Sequence, residues 1–163
     1  MRAALEELVE RYGDSLYAVA FNVCGNRADA EDVLQETFLR YHRSDKEFED
    51  EQHLRAWLIR VAVNAAKDVR RSFWHRNRVS LQEYMESAAF DSQESRDLFE
   101  AVMSLPEKYR IVIHLYYYED YSVREIAGIL KLTEGNVRVR LSRGRTLLRQ
   151  QLKEGWDDEG GDE

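Results

Sequence analysis

Apolar residues recur at helical spacing from the start of this chain. Leu5, Leu8, Val9, Tyr12, Leu16, Val19, Ala20 and Val23 share one face of a helical repeat, so residues 5–23 read as an amphipathic helix. The triplet Gly13, Asp14 and Ser15 is a candidate break within it, and Gly25 and Asn26 are turn residues that end it. A second helix is expected over residues 29–43, with Ala30, Leu34, Thr37, Phe38 and Tyr41 inward. Its first turn holds Asp29, Glu31 and Asp32, well placed against the positive end of a helix dipole. Residues 44–52 (SDKEFEDEQ) form a polar loop. A third helix over residues 53–73 buries Leu54, Leu58, Val61, Ala62, Ala65 and Val69.

From residue 80 to 95 the pattern fades into a polar stretch that reads as a linker. Four further helices are expected at residues 97–104, 106–118, 123–130 and 134–153. Residues 112–118 alone would pass for a strand, but Ile111, Leu115 and Tyr118 also keep helical spacing. The fold class is therefore all-α: two small helical domains, residues 1–79 and 96–153, joined by a flexible linker at residues 80–95. Residues 154–163 carry six acids and no base and are expected to form a disordered tail.

The second domain carries the sharpest local signals. Ser122-Val-Arg-Glu125 is a capping box that starts a short helix, and Thr133 is an N-cap for the next, with Glu134 in its first turn. Only residues 131–133 separate the two, which is helix-turn-helix spacing. On the last helix Val137, Leu141, Gly144, Leu148 and Leu152 form the packing face. The opposite face presents Arg138, Val139, Ser142, Arg143, Thr146 and Arg149, the chemistry that meets phosphates and base edges in a major groove. Arg140 and Arg145 lie nearer the apolar stripe, where they bind phosphate or pair with acids such as Glu125.

A second basic stripe lies on the third helix. Arg60, Asn64, Lys67 and Arg71 face away from its apolar side, and the basic and aromatic run at residues 70–78 continues it. Aromatics mixed with bases suit opened single-stranded DNA, although a solvated helix surface explains the charged stripe equally well.

Composition narrows the classes. The chain has 163 residues, a formal net charge of −7 and one cysteine, Cys24. A lone cysteine excludes a disulfide framework and a cysteine metal cluster. No apolar run approaches the roughly 18 residues of a membrane span, and no signal peptide is visible, so a cytoplasmic protein without membrane insertion is expected. The acidic total is segregated: residues 138–153 hold six bases and no acid. The four histidines are scattered, and there is neither a Gly-rich phosphate loop nor a nucleophile elbow, so an enzyme, a cofactor and a metal are not expected.

Together these segments resemble the extracytoplasmic-function (ECF) group of bacterial RNA polymerase sigma factors. Residues 29–38 (DAEDVLQETF) look like region 2.2. Residues 54–68 (LRAWLIRVAVNAAKD) look like regions 2.3 and 2.4. Residues 105–112 (LPEKYRIV) with 121–149 look like region 4. The resemblance implies that Asp29, Asp32, Gln35, Glu36 and Leu39 meet the β′ clamp helices of core RNA polymerase. It implies that Arg60, Asn64, Lys67 and Arg71, with the loop at residues 45–52, hold the −10 element. The last helix would read the −35 element through Arg138, Val139, Ser142, Arg143, Thr146 and Arg149, and the surface of region 4 would touch the β flap. Promoter DNA and an anti-sigma factor are the further partners implied. Val139 stands where many relatives carry a small polar residue, and the acidic loop is a second departure. The alternative is a stand-alone helix-turn-helix transcriptional regulator, which needs neither the acidic helix nor the second basic stripe.

Overall fold

In a computed structural model of the chain, residues 3–73 and 92–160 are described, with side chains described for residues 3–69 and 92–153. Most of the 80–95 linker, and residues 74–78 of the basic and aromatic run, lie outside them. Among the described residues there are seven α-helices and no strand. They are α1 (Leu5–Cys24), α2 (Arg27–Arg43), α3 (Glu51–Phe73), α4 (Gln93–Met103), α5 (Glu107–Ile113), α6 (Val123–Leu130) and α7 (Glu134–Gly160). No described helix is long and apolar enough to cross a membrane.

Helices α1, α2 and α3 pack as one bundle, and α4 to α7 form a second group against it. α1 is unbroken, because Gly13, Asp14 and Ser15 lie inside a helix whose register is set by buried Leu8, Tyr12, Leu16 and Val19. Two residues depart from the predicted stripes. Val9 is 46% exposed, whereas Val33, one position before the half-buried Leu34, is fully buried. Gly25, at φ 77, adopts the left-handed conformation that closes α1, and its N–H bonds to the Phe21 carbonyl. Asn26 then caps α2 by accepting from the Asp29 N–H at 2.8 Å. This cap starts α2 at Arg27, two residues earlier than the apolar pattern indicates.

The polar loop between α2 and α3 is anchored by one apolar residue. Phe48 is 2% exposed and packs edge-on against Trp57, with Tyr41 beside both. Asp50 accepts from the His53 N–H at 2.8 Å, so the acidic loop also starts the next helix. Ser92 caps α4 in the same way, accepting from the Ser95 N–H at 3.1 Å, which places four residues of the expected linker in or at a helix. Residues 112–118 are helical, not extended: α5 runs into one wider, π-helical turn over His114–Tyr118. α7 continues past Lys153 to Gly160, which corrects the expectation that the acidic tail starts as disordered chain. No helix breaker interrupts residues 145–154, and Gly155 alone costs only about 1 kcal/mol within a helix.

Phe48→Ala should destabilise the first bundle by about 3 kcal/mol, the range for emptying a buried aromatic site. Urea unfolding followed by circular dichroism would measure it, and the loss should appear in the midpoint rather than the slope.

Candidate nucleic-acid interface

The α6–α7 unit is built by local hydrogen bonds. Ser122 Oγ accepts from the Glu125 N–H at 3.1 Å, and the Glu125 carboxylate accepts from the Ser122 N–H at 3.0 Å. That bond to the Ser122 backbone is the main reason the Glu125 carboxyl titrates below its ordinary range. Lys131 takes a left-handed conformation, φ 57, and the Leu132 N–H returns to the Ala127 carbonyl at 2.9 Å. Thr133 Oγ1 then caps α7 by accepting from the Asn136 N–H at 3.1 Å. Ile126, Ala127 and Ile129 of α6 and Val137 and Leu141 of α7 are buried. A Cβ on Gly144 would sit 3.1 Å from the Ile113 side chain, so this glycine is what lets α7 approach α5 so closely.

This packing turns Arg138, Val139, Ser142, Arg143, Thr146 and Arg149 outward together, all exposed. Val139 is 46% exposed, an apolar side chain amid cations. The two inner arginines serve the fold: Arg140 donates to Asn136 Oδ1 at 3.0 Å and Arg145 to the Tyr117 hydroxyl at 2.9 Å. Neither is bonded to Glu125, whose carboxylate is occupied by the capping box and by the Gln52 amide at 2.6 Å.

On α2 the expected partner face divides. Asp32, Gln35 and Leu39 are exposed, Leu39 by 43%. Glu36 pairs with Arg40 at 3.0 Å along the helix. Asp29 is turned to the cap, its carboxylate accepting from the Asn26 amide at 2.7 Å.

The stripe on α3 is not an open surface. Asn64 is exposed, but Arg60 donates to the Gly128 carbonyl of α6 at 2.7 Å. Lys67 lines a cleft with Glu107 and Arg140. The Arg71 side chain lies outside those described.

The two helical groups meet at Glu119, which sequence reasoning did not single out. Its carboxylate is 8% exposed and accepts from Ser15 Oγ of α1 at 2.6 Å and Arg55 Nη2 of α3 at 2.8 Å. His114 Nε2 lies 3.1 Å from the other oxygen. Burial alone would raise the pKa of this carboxyl. The bonds from His114, Ser15 and Arg55 and the nearby positive charge outweigh burial and hold it below the ordinary value. Arg55 also lies over the ring of Tyr121 at 4.8 Å. Burial pushes the Tyr121 hydroxyl up to about 12. No sequence signal pointed to Ser15, Arg55 or Glu119, which lie far apart along the chain.

Two sequence families match the two helical groups. Residues 8–76 match Sigma-70 region 2 and residues 95–148 match Sigma-70, region 4. The chain is 30% identical to the ECF RNA polymerase sigma factor SigW of Bacillus subtilis, over 93% of this chain and 90% of that one. It is 32% identical to the RNA polymerase sigma factor CarQ of Myxococcus xanthus, again over 93% and 90%. The chain belongs to the ECF RNA polymerase sigma factors. Among solved structures, this sigma factor superposes on CnrH, solved in complex with the cytosolic domain of CnrY, with a TM-score of 0.67, at 28% identity and over 92% of this chain and 88% of that one. It shares its fold with the sigma factor RpoE of Bartonella quintana, solved with the anti-sigma factor NepR, with a TM-score of 0.70, at 23% identity and over 91% and 96%.

Because the Glu119 pKa is lowered on folding, the stability it contributes is full above the ordinary carboxylate value of 4.5 and is lost as pH falls through the folded value. The gap in thermal midpoint between this sigma factor and its Glu119→Gln variant should be widest near neutral pH. It should close as pH drops below 4.5, as scanning calorimetry across a pH series would show.

Proposed function

We propose that this sigma factor binds core RNA polymerase through the exposed part of α2 and reads a bipartite promoter with α3 and α7. The observation that carries the reading is the outward face of α7, where Arg138, Arg143 and Arg149 surround Val139, Ser142 and Thr146. The tight turn before it is the geometry that lays a second helix into a major groove. There the arginines suit phosphates and guanine edges, the hydroxyls suit phosphates or bases, and the Val139 methyls suit a thymine methyl. On α2, Asp32, Gln35 and Leu39 offer a mixed acidic and apolar patch for a basic helical partner, with Glu36 and Asp29 at its edge.

On α3, Arg60, Asn64, Lys67 and Arg71 are the candidates for the −10 element, with loop residues 45–52 near an extruded base. The role is that of a non-catalytic cytoplasmic initiation factor without a cofactor. The relatives solved with an anti-sigma factor or a cytosolic partner domain support a protein antagonist of the same kind. Region 4 would also touch the β flap.

Run-off transcription with purified core polymerase on a genomic fragment library tests the reading and returns the promoter. Arg138→Ala with Arg143→Ala should cut promoter-dependent transcripts by about 100-fold, since each well-placed arginine–base contact contributes about 1–3 kcal/mol. Core binding in a pull-down should persist. Arg60→Ala with Lys67→Ala should abolish open complexes, read by permanganate footprinting, while closed complexes and core binding survive. Asp32→Lys with Glu36→Lys should weaken core binding instead; unaltered affinity would remove α2 from the polymerase interface.

A further inference from the structure

A small cavity lies apart from every residue assigned above to DNA or polymerase. It sits where α1 meets α4 and the π-helical turn, and its volume is about 200 Å³. Phe21, Phe99 and Tyr118 supply aromatic walls, and Val102 and Met103 supply aliphatic ones. Phe21, Val102 and Met103 are buried, whereas Phe99 is half-buried and Tyr118 is 52% exposed. The cavity therefore has a closed floor and a mouth.

Size and wall chemistry set what such a space takes. An apolar cavity of about 150 Å³ takes up benzene. One of about 200 Å³ has room for a single aromatic ring with one or two small substituents. The Phe21 and Phe99 rings, 6.2 Å apart, offer the faces and edges that aromatic pairs prefer, and Met103 adds a pliable thioether. Water is a poor filling, because a buried water needs about two to four polar partners and most of this wall offers none. His114, also on the wall, is already engaged: its Nε2 lies 3.1 Å from Glu119 Oε1, and its ring stacks on Tyr118.

One polar group on the wall is not explained by the fold. Asn22 lies within α1 and is 4% exposed, and its Oδ1 is buried without a hydrogen-bond partner among the described residues. Leucine, of similar size, would favour the helix and cost no desolvation of an amide. A single placed polar group in an otherwise apolar pocket is the usual handle for a small ligand. The amide turns about a broad χ2 torsion, so it presents either its carbonyl or its NH₂ to a guest. A hydroxyl both donates and accepts, and so suits either orientation.

We propose that this cavity is a binding site for a small monocyclic hydroxyarene, its ring held among Phe21, Phe99 and Tyr118 and its hydroxyl bonded to the Asn22 amide. The neighbouring cleft between α4 and α7, about 430 Å³, shares Val102 and Tyr118 but carries Arg145 and Arg149 and lacks an amide handle.

Phenol and toluene, nearly identical in shape, are the probes. Titrated into the whole chain labelled with nitrogen-15, phenol should shift the Asn22 side-chain amide saturably in two-dimensional NMR, together with the backbone amides of Phe99 and Tyr118. It should bind about three- to tenfold more tightly than toluene, the gain from one buried hydrogen bond. Asn22→Leu should erase or reverse that preference while raising the thermal midpoint of the free chain, because an unpaired buried amide is removed. Ala18→Leu, on the cavity wall one turn earlier in α1, should weaken both probes by filling space. Leucine is a good helix former, and circular dichroism should show parental helical content in both variants. Three outcomes would each overturn the proposal: no saturable shift at millimolar phenol, shifts confined to Leu148 and Leu152 in the neighbouring cleft, or a phenol preference that survives Asn22→Leu.

Discussion

A carboxylate buried where two helical groups meet governs this structure. Burying an isolated charge costs several kcal/mol, so Glu119 is tolerated only because donors converge on it from α1, α3 and the end of the α5 segment. The convergence depends on backbone detail. The widened turn after α5 brings the Glu119 N–H to the His114 carbonyl at 3.2 Å, and the left-handed Asp120 at φ 59 then reverses the chain. Without that turn the carboxylate would not point back at the first bundle, and the packing of α6 on α3 would lose its anchor. The anchor thus ties α1 and α3 to the turn that leads into α6.

The helix-turn-helix has the opposite character. Nearly everything that shapes it is local: a capping box within four residues, a left-handed Lys131, a capping Thr133. Such contacts depend on residue type and spacing alone, which is why the boundaries of α6 and the outward face of α7 were legible in the sequence. Gly144 was legible only as a member of the apolar stripe; its close approach to Ile113 forms between distant segments.

What was not legible is what forms between distant segments. Periodicity put Val9 on the buried stripe of α1, yet the bundle leaves that edge open, and it buries Val33 in place of a fully inward Leu34. Asp29 looked like surface acid and is a cap partner, because Asn26 precedes it at capping distance. The loop of residues 44–52 looked uniformly polar and hides Phe48. The charged stripe of α3 was readable as a stripe, but no one-dimensional pattern shows that a carbonyl at the end of α6 is what Arg60 meets.

Charge sets the range over which the exposed cations act. With 31 acidic residues against 24 basic ones, the whole chain repels a polyanion at distances where its charges act as a sum. Attraction to phosphate survives only close to the exposed cations of α7, within roughly a Debye length of 8–10 Å. Acids spent on helix caps, as with Asp29 and Asp50, and on intrahelical pairs, as with Glu36, therefore serve the fold while lowering affinity for DNA met at random. A net negative surface thus weakens random attraction of the chain to a polyanion, while the exposed cations of α7 still act at close range.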